Sequence, residues 1–216
     1  SGVFQLESAG MRQMLSSLRP DCIDDIFAAL ALYRPGPMDS IPRFIEGRHH
    51  PDKIHYAHPL LEPILAPTYG CIIYQEQVLS IFRDLAGYTY GHADIVRRAM
   101  SKKKADVMEA ERQGFVSGAG EHGIPEDVAT ELFDSMASFA NYAFKKGHAV
   151  AYSIISYRTA YLKAHQQREN YPALLNSVLG NMPKMAGYIA ECGKLGIRVL
   201  APDVNRSMAD FHVSGD

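Results

Sequence analysis

Cysteine is scarce in this 216-residue chain: Cys22, Cys71 and Cys192 are odd in number, far apart and in no C-x-x-C spacing. That excludes a disulfide framework and a Cys-based zinc site, and it fits a reducing, cytoplasmic compartment. Long apolar runs are missing as well. Stretches such as "IFAALALY" at 26–33 fall far short of a bilayer span, and "SGVFQLES" lacks a basic region followed by an apolar one, so neither a membrane helix nor a secretory leader is expected. No charge dominates, since 22 Lys and Arg face 24 Asp and Glu for a formal net charge of -2. A chain so balanced does not coat a polyanion by bulk charge, and any such partner must be met by local clusters. Catalytic signatures are absent too: no G-x-x-x-x-G-K-[ST] loop, no H-E-x-x-H, no G-x-S-x-G, and no Asp-x-Asp pair to hold magnesium. His49, His50, His55 and His58 lie in a proline-rich stretch without a neighbouring Cys or paired carboxylate, which reads as surface histidines rather than a zinc site. With no initiator Met and an opening inside an element, the chain is expected to be an excised piece.

What remains is an ordinary globular composition, 47% hydrophobic and 21% charged, long enough to bury a core. Its pattern is helical nearly throughout. Ile23, Ile26, Phe27 and Leu30 recur at the spacing of one buried helix face, and the helix should stop before "RPGP", whose prolines remove backbone donors. Pro42, Pro51, Pro59, Pro63 and Pro67 make residues 35–70 an irregular arm. Val78, Ile81, Phe82 and Leu85 predict a helix over 75–86 ended by Gly87. A polar helix interrupted by glycines is expected over about 103–120, and Pro125, Glu126 and Asp127 mark another helix start. Over 139–165, Val150, Ile154, Tyr157 and Tyr161 form one stripe and Ala151, Ile155 and Leu162 another, which predicts a helix through the core. "PKMAGYIAECGKLG" reads as a last helix and "IRVLAPDVN" as a short strand or extended exit. The fold class is mainly α: a multi-helix domain over 1–196 with a proline-rich arm and little or no sheet, followed by an exit segment over 197–216.

Two basic clusters stand out. "HADIVRRAMSKKKADV" at 92–107 packs Arg97, Arg98, Lys102, Lys103 and Lys104 together. On a helix, Arg97, Ser101 and Lys104 share one row and Arg98 and Lys102 the next, an arrangement that repels itself unless an anion or acidic neighbour offsets it. A solvated face helped by Asp94 and Asp106 is the ordinary reading, but paired guanidinium forks match phosphate oxygens. The second cluster is Lys145, Lys146, Gly147 and His148, ahead of the most strongly patterned helix. Unsatisfied N–H groups there and two lysines make a potential phosphate site, with Gly147 at the N-cap. His148 is either a core histidine or a first-turn surface residue. Phe139, Tyr142 and Phe144 read as packing more readily than as base-stacking platforms.

Six stretches in order, "GVFQLES", "ALYRPGPM", "PTYGCIIYQEQV", "GYTYGHADIVRRAMSKKK", "FANYAFKKGHAVAYSIISYRTAYLKAH" and "LAPDVNRS", resemble the alpha subunit of bacterial DNA polymerase III, over essentially the whole chain. The resemblance implies a fingers domain lying between a palm and a helix-hairpin-helix module. It implies that Mg2+ is held by palm aspartates outside this fragment, and that the isolated fragment is inactive. Its implied partners are dNTP, primer-template DNA, the neighbouring domains and replicase subunits including a sliding clamp. Carried over by residue, Arg97 and Arg98 would contact the triphosphate and Lys102 and Lys103 would assist there or on the template backbone. Lys146 and His148 would sit at the nucleotide, the histidine against the sugar, with Arg34 and Gln75 in the same cleft. Two departures matter: Ser101 stands where the family has Gly, and Lys145-Lys146-Gly147-His148 replaces N-K-S-H, so either lysine could face the cleft. A helical nucleic-acid adaptor and a protein-interaction scaffold are the competing classes.

Overall fold

The computed structural model describes residues 2–101, 105–139 and 142–214. Among these, eleven α-helices and short 3-10 turns make up the regular structure, with no strand, and Tyr74 and Phe144 form one isolated parallel bridge. The chain is mainly α, as its periodicity predicts. It divides into two compact units, Ala9–Ser153 and a second built from Ser1–Ser8 with Ile154–Asp216.

In the larger unit, α1 (Ala9–Leu18) precedes α2 (Ile23–Leu32), which ends before "RPGP" as expected. The proline-rich stretch is more regular than the sequence suggests. Here α3 (Ile41–His49), α4 (Glu62–Leu65) and the 3-10 turns Pro37–Ser40, Pro51–Lys53, Pro59–Leu61 and Ala66–Thr68 each carry a proline in their first two positions. A proline there loses no helical hydrogen bond and has its φ already set for the helix. These prolines therefore start short helices as well as ending them, and Phe44, Leu61 and Leu65 are buried.

The core gathers around α5 (Gln75–Ala86), whose Val78, Ile81, Phe82 and Leu85 are fully buried and whose stop is Gly87 at φ 72°. Against it pack Ala93, Val96 and Met100 of α6 (Tyr90–Ser101), Phe115 and Ala119 of α7 (Ala105–Glu121), and Leu132, Phe133 and Met136 of α8 (Glu126–Phe139). The Phe82 ring meets Phe115 and Phe133 edge-on at 5.2 and 6.2 Å, an arrangement favoured by the ring quadrupoles. The glycines expected to interrupt α7 do not break it. A Cβ on Gly118 would lie 2.4 Å from the Ala86 carbonyl oxygen, so this glycine lets α7 approach the end of α5.

One expectation fails on the helix after "KKGH". α9 runs Lys146–His165, so its length is as read. Its buried positions, however, are Ala149, Ser153 and Ser156, while Ile154, Ile155, Tyr157, Tyr161 and Leu162 are between 39 and 56% exposed. The positions enclosed on this helix all carry small side chains. Apolar spacing alone could not reveal that preference.

In the second unit, α10 (Gln167–Ser177) and α11 (Met182–Lys194) pack together over buried Tyr171, Leu175 and Cys192. Lys163 pairs with Glu191 at 2.6 Å. Among its described residues the segment after α11 contains no strand, and it is tied down by Asn176, whose amide donates to the Phe211 carbonyl at 2.9 Å and accepts its N–H at 2.8 Å.

Candidate functional site

The site grows from a backbone joint. Residues 73–75 run beside Phe144: the Phe144 N–H donates to Ile73 O at 3.1 Å and Gln75 N–H donates to Phe144 O at 2.9 Å. The Gln75 side chain adds a bond to Ala143 O at 3.0 Å. Gln77, two residues on, explains why 73–75 holds that course. Its buried amide oxygen accepts the N–H groups of Ile73 and Tyr74 at 2.8 and 2.9 Å, and its NH2 reaches Ile64 O, Thr68 Oγ1 and Cys71 O.

Arg34 comes to the same joint from the "RPGP" turn. Its Nε donates to Ala31 O at 2.9 Å and its Nη2 to the Tyr142 carbonyl, while the guanidinium carbon stands 4.5 Å from the Phe144 ring centroid. Partial burial pulls its pKa below the ordinary value, yet an arginine stays charged across the working range. Gly36, at φ 107°, has the Tyr142 ring where a Cβ would stand, so both its conformation and its neighbour require glycine. From Phe144 the aromatic surface continues to His148, edge-on at 5.2 Å, and then to Tyr152 at 4.2 Å. His148 is exposed and lies on the first turn of α9, which decides between the two readings of that residue.

The second cluster differs from expectation in its capping. α9 begins at Lys146, so Gly147 is its second residue rather than its N-cap. The Lys146 N–H donates to both carboxylate oxygens of Glu76, at 3.1 and 3.0 Å. Of the two lysines, Lys146 is the one placed inward, its Nζ 5.7 Å from the Tyr74 ring centroid, while Lys145 is exposed. Burial, aided by the Asp24 and Glu76 carboxylates, pushes the Tyr74 phenol far above its ordinary pKa, so that ring stays neutral.

On α6, Arg97 and Arg98 share Asp94. Arg97 bonds Oδ1 through Nε at 3.1 Å and Nη2 at 2.8 Å, and Arg98 bonds Oδ2 at 2.6 Å. The Arg97 side chain is 12% exposed and that of Arg98 69%. Two guanidiniums on one carboxylate leave a net positive surface. Lys102 and Lys103 lie outside the described residues. Ser101 closes α6 as a helical residue, so the left-handed turn that would strain a serine is not asked of it.

The bonds from Arg97, then those from Arg98, hold the Asp94 carboxyl below its ordinary value of 3.8. A group depressed in the folded state contributes stability above its unfolded value, and loses it as pH falls through the folded one. The carboxyl-carbon titration of Asp94, followed by NMR, is expected to have its midpoint below 3.8 in the native chain and to rise on Arg97→Ala. Equal midpoints in the two proteins would remove this pair as the anchor of the arginines.

The contacts thus bring together Arg34, Gln75, Lys146 and His148, and separately join Arg97 with Arg98. Glu76, Gln77, Tyr74 and Tyr152 were missed from the sequence. The stretch "PTYGCIIYQEQV" contains Tyr74, Glu76 and Gln77, but carboxamides and carboxylates in a helix's first turn carry no mark of the distant segment they bind. Among the described residues, one group has metal-ligand spacing: Asp21, Cys22 and Asp25, with ligand atoms within 4.8 Å. Arg48 pairs with both carboxylates, and a thiol is a poor ligand for magnesium. That group does not fit a catalytic Mg2+.

Comparison with known proteins matches residues 1–123 to the bacterial DNA polymerase III alpha subunit finger domain. DNA polymerase III subunit alpha of Staphylococcus aureus strain Mu50 is 49% identical over 207 residues, covering 96% of this chain and 19% of the relative. That of Thermus aquaticus is also 49% identical, over 220 residues covering 100% of this chain and 18% of the relative. The chain thus spans about a fifth of the length of the curated relatives it matches. No described helix is long and apolar enough to cross a membrane. Order of motifs, an all-helical build and near-half identity over almost the whole chain agree, and the chain belongs to the bacterial DNA polymerase III alpha subunit family.

Proposed function

We propose that this chain is the fingers module of a DNA-directed DNA polymerase and holds the incoming dNTP against the template. The observation that carries this reading is the run of Arg34, Phe144, His148 and Tyr152. A cation, aromatic faces and a histidine on one surface are what a triphosphate, a sugar and a base require. Arg97 and Arg98 supply further cations. α6 packs along α5 after a connection of residues 87–89, and the Arg83 guanidinium stands 4.7 Å from the Tyr90 ring centroid where the two helices join. In this reading Arg97 and Arg98 meet the same triphosphate as Arg34, Gln75 and Lys146. Lys102 and Lys103, outside the described residues, are proposed on the family resemblance alone to assist on the phosphates or the template backbone.

The chemistry is displacement of pyrophosphate by a primer 3′-hydroxyl, with Mg2+ on carboxylates outside the chain supplying nucleophile activation and leaving-group stabilisation. This chain's residues bind and orient: arginines on phosphate oxygens, His148 against the sugar edge where a 2′-hydroxyl would intrude. Primer-template DNA, a palm, a helix-hairpin-helix module reached through residues 197–216 and replicase subunits including a sliding clamp are the proposed partners, in the cytoplasm. The 216 residues alone are expected not to extend a primer.

Steady-state single-nucleotide incorporation by the full-length polymerase tests the assignment. Arg98→Ala is expected to lower kcat/KM for dNTP by about ten- to a hundredfold, the scale of a lost charge-assisted hydrogen bond of ~1.5–3 kcal/mol. His148→Ala is expected to narrow the preference for deoxyribonucleotides over ribonucleotides. Unchanged kinetics for Arg98→Ala would reduce the α6 cations to a solvated face, and an unchanged preference would remove His148 from the sugar.

A further inference from the structure

We propose that Glu76 is a positioning residue for the nucleotide surface, acting by capping α9 from a different helix. The inference rests on the nucleotide-binding reading above. The physical problem is a meeting of two helix N-termini. α5 starts at Gln75, whose N–H donates to Phe144 O at 2.9 Å, and α9 starts at Lys146, two residues beyond Phe144. Each N-terminus presents N–H groups without helical acceptors and a partial positive charge of about half a unit. The Lys146 ammonium and the Arg34 guanidinium lie at the same joint. Left alone, these like charges would push the two helix starts apart.

Glu76 answers this with one carboxylate. It belongs to the first turn of α5, where negative charge is favoured, and its two oxygens accept the N–H of Lys146 at 3.0 and 3.1 Å. The bond spans 70 positions of sequence, so it sets a tertiary relation rather than a local one. It fixes the register of the turn bearing Lys146 and His148 relative to the strip that Gln77 holds. The same bond occupies the end of α9, where the sequence suggests a phosphate. In this geometry the helix terminus is not the phosphate site, and the cations beside it are.

The test is dNTP incorporation by the full-length polymerase. Glu76→Ala is expected to raise KM for dNTP by about tenfold, the loss of one charge-assisted hydrogen bond, with kcat and template affinity changed less than about threefold. Glu76→Gln, which keeps a hydrogen-bond acceptor, is expected to restore KM to within about threefold of wild type, since a neutral acceptor keeps roughly half such a bond's strength. A KM that falls in both variants would overturn the proposal, because the carboxylate would then only oppose the triphosphate. Equal losses in the two variants would overturn it as well, assigning the effect to charge rather than to capping. A proportional drop in kcat, template affinity and Tm would show a merely structural role. Wild-type KM in Glu76→Ala with raised KM in Arg34→Ala and His148→Ala would refute Glu76 alone. Wild-type KM in all of them would refute the nucleotide-binding reading too.

Discussion

Asp25→Ala is expected to cost the chain about 3–5 kcal/mol, the scale for breaking a buried ion pair from one side. Asp25 is 1% exposed on α2, and its Oδ2 accepts from Arg48 Nε of α3 at 3.0 Å. Its Oδ1 accepts the Tyr69 hydroxyl at 2.9 Å, so one carboxylate ties together α2, α3 and the turn after α4. Removing it strands the Arg48 guanidinium, whose side chain is only 17% exposed. Neutralising the arginine offers no escape, since its bond to Asp25 raises a pKa that is already above any working pH. Asp21, the other partner of Arg48 at 2.7 Å, has a side chain 77% exposed, and Asp21→Ala is expected to cost less than about 1 kcal/mol. Urea midpoints compared at constant m-value measure both. Equal losses would mean that the buried bond is not what holds this corner.

Gln77→Leu carries the second large effect. The substitution nearly preserves volume, so what it removes is polar satisfaction. The N–H groups of Ile73 and Tyr74, both in buried residues, lose the amide oxygen 2.8 and 2.9 Å away. Thr68 Oγ1 loses a donor at 2.6 Å. Orphaned buried groups cost about 1–3 kcal/mol each, so a loss of about 3 kcal/mol is expected. It should have a signature beyond stability. The amide of Phe144, which donates to Ile73 O at 3.1 Å, is expected to exchange with solvent faster than in wild type at matched global stability. An unchanged protection factor would separate Gln77 from the joint that carries Phe144.

The helices themselves were largely legible. α5 follows its apolar spacing to the Gly87 stop, α2 ends before the "RPGP" prolines and α8 starts after Pro125, because a helix's periodicity and ends are local properties of the chain. The face expected for α2 fails except at Phe27, since Ile23 is exposed and Asp25, Ala28, Ala29, Ala31 and Leu32 are buried instead. The arm from residue 35 to 70 was half legible: its prolines do forbid long helices, but whether each proline ends an element or opens a short one depends on what the next turn can bury. α9 was legible in length and not in orientation. Its apolar stripes named the wrong inner face: the enclosed positions are Ala149, Ser153 and Ser156, all small and two of them polar.

For the site, residue types in order were enough to identify the family and to nominate Arg34, Gln75, Arg97, Arg98, Lys146 and His148. Charge, aromaticity and motif order are written along the chain. Which of two adjacent lysines turns inward was decided in three dimensions, by the Tyr74 ring beneath Lys146. So was the use of the α9 terminus, taken by Glu76 rather than left open to an anion. So, finally, was the burial of Asp25 and Gln77, polar residues whose partners lie as far as 44 positions away for Asp25 and 13 for Gln77. Periodicity reports which face a helix could bury. Only packing determines which it does bury, and which buried polar atom finds its partner there.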